Sequence, residues 1–198
     1  MNTKPTDNQH TKRRLPEQQR QMLVAMPSML DPNFVHGVTL LCKHDKEGAV
    51  GITVNRPTDM VLLEVFKSLN IDCDIAEIAE QAVFDGGPVH PERGFVLHSP
   101  EKEWESSMSL GESIMVTTSR DVLAAIAAGD GPEKYLVALG YAGWTAGQLE
   151  YELRENAWLT VDMDTDIIFN QPTPSRWEKA VGKLGIDIDQ LHRGVGRA

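Results

Sequence analysis

Few side chains in this sequence stand at spacings that chemistry uses. His36, Cys42 and His44 would share one face of an extended segment, because side chains alternate along a strand. Cysteine and histidine on one face can ligate zinc, and a cysteine with a stabilised thiolate can react. At about 3.3 Å per residue, however, His36 and His44 stand about 26 Å apart, so only Cys42 and His44 could share an ion. A small buried cysteine beside a strand-end histidine is the simpler reading. Asp162, Asp164 and Asp166 also alternate and would offer oxygen ligands to Mg²⁺ or Ca²⁺, but the calcium-loop pattern and its glycine are missing. Ser99 follows His98, and Ser106 and Ser107 lie in a polar stretch, yet no GxSxG elbow is present. No catalytic residue, metal site or cofactor is expected, and the chain leans away from an enzyme.

Two glycine-rich segments are better candidates. Gly140-Tyr-Ala-Gly143-Trp144-Thr-Ala-Gly147 reads as a turn between a strand and a helix, where unpaired backbone N–H groups can cradle an anion. Its spacing fits neither GxGxxG nor GxxxxGK[ST], it holds no lysine, and Glu150 and Glu152 follow it. Asp85-Gly86-Gly87-Pro88, followed by Arg93-Gly94, demands unusual backbone angles in a turn. A functional reading places both segments around one ligand pocket made of Asn55, Arg56, Gly86, Gly87, Gly143 and Trp144. The structural reading gives the glycines to tight turns and Trp144 to the core. Trp144, Trp158 and Trp177 are all expected to be largely buried.

The elements that would position these residues follow from apolar periodicity and its breakers. Met1 to Gln19 is polar and aperiodic, and residues 1–20 are expected to form a disordered basic tail ahead of one domain over 21–198. Strands are expected at Phe34–Cys42 (buried on both faces), Ala49–Val54, Ala82–Phe84, Gly94–His98, Ile114–Thr117, Tyr135–Leu139 and Asp166–Phe169. Asp45–Gly48 turns the first pair into a hairpin, and Asn55-Arg56-Pro57 ends it. Four helices are expected: Asp59–Leu69, Thr118–Ala128, one opening at Thr145-x-x-Gln148, and one from Thr173-Pro174 to Leu184. Hairpins come first and helices are interspersed later, which argues for an α+β fold with a mixed sheet.

Charge bounds the partners. The 198 residues carry 19 basic and 29 acidic side chains, a formal net charge of −10. A body this acidic repels phosphate backbones, which disfavours direct nucleic-acid binding apart from the Lys12-Arg13-Arg14 cluster in the tail. No apolar run nears the ~18 residues that span a membrane. Two isolated cysteines and no signal-like start point to the cytoplasm. The partner and the oligomeric state are not legible in the sequence.

Taken together, several stretches resemble the YqgE/AlgH family of bacterial proteins. They are MLVAMPSMLDPNF (22–34), LLCKH (40–44), GAVGITVNRP (48–57), FDGGPV (84–89), RGFVLH (93–98), TTSRDVL (117–123), LGYAGWTAGQLEYELRENAWL (139–159) and RWEKAVGKLGID (176–187). The resemblance implies a mostly antiparallel, branched sheet folded into a pseudo-barrel. It also implies a regulatory or interaction protein that influences transcription indirectly, for which an unknown protein partner is possible; the alternative is a small-ligand-binding protein or an enzyme of unfamiliar type that uses the glycine-rich turns. It carries over no catalytic or binding residues. One departure is local: the family often has a basic residue and a serine after the DPxF segment, where this chain has His36-Gly37. That removes a charge from any anion site proposed on the strand.

Overall fold

The computed structural model describes residues 21–185; the expected N-terminal tail lies outside the described residues, as does 186–198. The strands are β1 (Gln21–Ala25), β2 (Val38–Asp45), β3 (Gly48–Thr53), β4 (Pro57–Val61), β5 (Ala82–Asp85), β6 (Val89–His98), β7 (Ser107–Ser109), β8 (Met115–Thr117), β9 (Tyr135–Thr145) and β10 (Trp158–Asp162). The helices are α1 (Leu62–Ser68), α2 (Ala76–Ala79), α3 (Arg120–Ala127), α4 (Gln148–Arg154) and α5 (Arg176–Gly182). The fold is α+β, with a curled, largely antiparallel half-barrel sheet. Four of these helices run seven or eight residues and correspond to the four expected ones. No helix of the described residues is long and apolar enough to cross a membrane.

The sheet runs β10-β1-β2-β3-β9-β6-β8-β7, and β5 joins it on β9 with β4 outside. Alternation divides its buried residues between two sides. Met22, Val24, Val38, Leu40 and Cys42 point into the inner core with Ile52, Leu97 and Trp177. Leu23, Ala25 and Leu41 point outward, onto Trp144, Leu149 and Trp158. A third cluster joins α1 and α3 through Leu62, Phe66, Val122 and Ile126 to Val96 and Val137.

Several expected boundaries moved, each for a local reason. The first hairpin strand begins at Val38, not Phe34. Asp31 gathers the preceding segment into a turn, its carboxylate accepting the Asn33 N–H and its carbonyl those of Phe34 and Val35. His36 then takes a left-handed φ of 53°. Pro57 opens strand β4 as an edge residue, where its missing N–H costs no ladder bond. That strand holds Asp59–Val61 extended, so α1 starts only at Leu62, with the Glu64 carboxylate accepting the Val61 N–H. Asp166–Asn170 is a π-helical turn rather than a strand. The Asp164 carboxylate accepts the Asp166 N–H, while that of Asp166 holds the Asn170 and Gln171 amides. The periodicity also gave no sign of β4, α2, β7 or β10, all five residues or shorter.

Candidate functional site

The glycines of the two candidate segments meet one another. Strand β9 gives one edge to β6, and its other edge first to β5 and then to β3. The sheet therefore branches where β5 leaves β9 and β3 takes over. At that point the Gly86 N–H donates to the Leu139 carbonyl, and the Thr53 N–H donates to the Gly86 carbonyl. A Cβ at Gly86 would stand 2.3 Å from the Gly140 carbonyl oxygen. One at Gly87 would stand 2.3 Å from the Tyr141 carbonyl carbon, and one at Gly140 would stand 2.3 Å from the Gly87 oxygen. Three backbones cross here closely enough to exclude any side chain. The segment read as a strand-to-helix turn is instead continuous strand through Thr145, with Gly143 paired to Val50 and Trp144 to Ala49.

Asn55 and Arg56 brace the turn beneath this junction. The Asn55 side chain accepts the Val38 N–H at 2.8 Å and donates to the His36 carbonyl at 2.8 Å. The Arg56 guanidinium donates to the Val35 carbonyl at 2.8 Å. Trp144 is buried elsewhere, against Trp158 at 5.9 Å and Phe34 at 6.3 Å. Its indole N–H and that of Trp158 donate to the same oxygen of Glu152, at 2.9 and 2.8 Å, while Gln148 donates to the other. Thus Gly86 and Gly87 come together with Gly140 in the middle of β9, and the Arg56 carbonyl beside them accepts the Asp85 N–H, whereas Trp144 is buried with separate partners.

Groups with acid–base or nucleophilic capacity are similarly engaged. Cys42 is buried, and desolvation pushes its thiol up to about 12, so it stays protonated near neutrality. His98 is fully buried. A carbonyl can only accept, so Nδ1–H donates to the Ser99 carbonyl at 2.8 Å, leaving Nε2 to accept the Thr117 hydroxyl. Burial lowers its pKa, which keeps the ring neutral. Ser99 closes a loop by bonding both backbone groups of Lys134. His44 meets Glu150 at 2.8 Å, and its proposed neighbour Cys42 bonds inward to the Leu40 carbonyl. Of the acidic run, Asp164 pairs with Lys183 at 2.6 Å. Among the described residues no three His, Cys, Asp or Glu side chains gather as a metal-ligand set.

Two cavities open near this framework, and neither is lined by any of the six candidate pocket residues. The first, of about 310 Å³, lies between α1, the start of α3 and the β6–β9 face, with Glu64, Glu92 and Arg120 on its wall. The second, of about 360 Å³, is the mouth of the half-barrel. Its apolar wall includes Val50, Ile52, Phe95 and Val116, and its charged residues are Lys43 and Arg93.

Residues 22–189 match the family model described as AlgH-like. The chain belongs to the AlgH-like family. A UPF0301 protein of Thioalkalivibrio sulfidiphilus is 52% identical over 178 residues, covering 90% of this chain and 95% of the relative. A UPF0301 protein of Xanthomonas oryzae pv. oryzae is 49% identical over the same share of each. The solution structure of the AlgH protein from Pseudomonas aeruginosa superposes with a TM-score of 0.77 at 44% identity, covering 94% of this chain and 98% of that one. A Corynebacterium diphtheriae protein at 17% identity shares the fold, with a TM-score of 0.71 over 90% of this chain and 93% of its own. None of these names states a reaction, a ligand or a partner.

In this AlgH-like chain the long GYAGW…ENAWL stretch builds the outer aromatic brace, with Trp144, Gln148, Glu152 and Trp158 bonded in one unit. Sequence reasoning missed the mouth. The available signals were Cys42, read as a zinc or thiol candidate, and Arg93, noted only because it follows the glycine pair. Phe95 follows two residues on along β6, whereas Lys43 and Tyr141 come from other strands and share no local pattern with it.

Proposed function

We propose that this AlgH-like protein is a cytoplasmic regulatory protein that acts by contact with a protein partner rather than by chemistry of its own. The carrying observation is the structural engagement of its reactive-looking groups: a protonated core thiol at Cys42 and a neutral, doubly bonded imidazole at His98. A thiol held at about 12 makes a poor nucleophile at neutral pH. Two free cysteines favour a reducing compartment. Residues 21–185 carry 25 acidic and 12 basic side chains, which favours a partner with basic character over a nucleic acid.

The test is affinity capture at native expression, run in parallel on wild type and on Cys42→Ala. Contact predicts a stoichiometric partner recovered equally by both. Failure to recover a reproducible partner, or loss of it with a folded Cys42→Ala chain, would overturn the proposal.

A further inference from the structure

The half-barrel mouth differs from the rest of the surface in charge. Acidic side chains outnumber basic ones about two to one over residues 21–185, yet the charged residues lining this 360 Å³ cavity are Lys43 and Arg93. The cavity beside α1 has the opposite character, with two glutamates and one arginine. That arginine, Arg120, is already committed to the carbonyls of Leu69 and Asn70 at the end of α1. Arg93 is not so committed. Among the described residues it makes no ion pair, and its guanidinium lies over the Phe95 ring at 5.4 Å. Lys43 is partly neutralised by Asp45 at 3.0 Å and Glu47 at 3.5 Å, so Arg93 is the principal positive group.

Backbone irregularities border the same mouth. On β6, Val89 faces Tyr141 and Gly94 faces Leu139, so five steps on β6 span two on β9 and three residues are extra. Arg93 belongs to that bulge. On β2 the register skips Cys42, between the Leu41 and Lys43 pairs. Bulges re-aim side chains and bend the strand that carries them, and both of these border one opening. Below the cations the wall is apolar, with Val50, Ile52, Phe95 and Val116, and Met108 on the outer strand β7. The volume falls at the small end of ligand sites, and the combination of an apolar wall with few charged groups is their usual make-up.

We infer that the half-barrel mouth binds a small amphipathic anion, its apolar body against Val50, Ile52, Phe95 and Val116 and its carboxylate or phosphate on Arg93. The guanidinium presents a planar fork of donors suited to either group. The protonated Cys42 thiol in the wall adds no negative charge to oppose the ligand. This site stands independently of any protein partner.

Octanoate is the probe, titrated into the full-length chain by amide NMR, with octyltrimethylammonium as a cation of equal chain length. Octanoate should bind saturably and shift the amides of Phe95, Val116 and Tyr141, whereas the cation should not. Arg93→Gln, at an exposed position, should keep the wild-type melting temperature and weaken octanoate about tenfold. Met108→Trp, on an exposed edge, should fill the mouth and abolish binding; Glu64→Gln, in the other cavity, should change nothing. The inference is overturned if the cation binds as well as octanoate, if the shifts map elsewhere, or if folded Arg93→Gln and Met108→Trp bind as wild type does.

Discussion

Replacing Glu152 by alanine should destabilise the protein far more than its position on a seven-residue surface helix suggests. Its carboxylate accepts indole N–H groups from Trp144 and Trp158 and the Gln148 amide. Both tryptophans are nearly inaccessible, at 5% and 3% exposure, so water cannot fully replace the lost acceptor. Stranding a buried donor costs about 1–3 kcal/mol. Two such donors set a range of about 2–6 kcal/mol; because the Glu152 side chain is itself half-buried, about 3 kcal/mol is the expected value. For a domain of this size that lowers Tm by about 6–12 °C. Glu152→Gln keeps a carbonyl for the indoles but turns a donor toward Gln148, so it should lose only about 1 kcal/mol. Urea unfolding followed by tryptophan fluorescence gives both values, with an unchanged m as the sign that only stability moved. If Glu152→Ala stays within about 0.5 kcal/mol of wild type, the brace is not holding α4 to the sheet.

The branch point gives a paired expectation. Gly86→Ala sets a methyl 2.3 Å from a backbone oxygen and should cost about 3 kcal/mol or more. Gly182→Ala in α5 meets nothing within 4 Å and should gain about 0.5–1 kcal/mol; thermal melts of the pair check both signs. Acid should destabilise the fold through His98. Its pKa is lowered on folding, so below about 6.5 the unfolded chain takes up a proton that the native ring resists. Stability should therefore fall with pH below 6.5 by up to about 1.4 kcal/mol per unit, and His98→Gln should lose that component of the slope. An identical slope in the variant would assign the loss to other groups.

Sequence reasoning found what periodicity encodes and missed what depends on distant partners. The core of α1 was readable because Val65, Phe66 and Leu69 stand at helical spacing, and that of α3 because a Thr118-x-x-Asp121 capping pattern and Gly129 bracket it. The start of α1 was not, because Asp59–Val61 is held extended by pairing with β5, twenty residues away. The glycine pairs were visible as special, but the reason lies in three crossing backbones from separate parts of the chain. Trp144 looked like part of the same glycine turn, yet its side chain reaches Glu152 and Trp158 on the outer side of the sheet. The mouth left least trace. Lys43, Val50, Tyr141 and Arg93 sit on β2, β3, β9 and β6, four successive strands of the sheet, and pairings between segments far apart in sequence bring β9 and β6 beside the β2–β3 hairpin.

Contact without chemistry is tested most directly by replacing the chromosomal copy with Cys42→Ala or with His98→Gln. Each variant is first checked for a cooperative melt, and then compared by transcript profile with the wild-type and deletion strains. Structural roles for both side chains predict wild-type profiles wherever the protein is folded. A folded variant that reproduces the deletion profile would contradict them and place chemistry at the substituted residue.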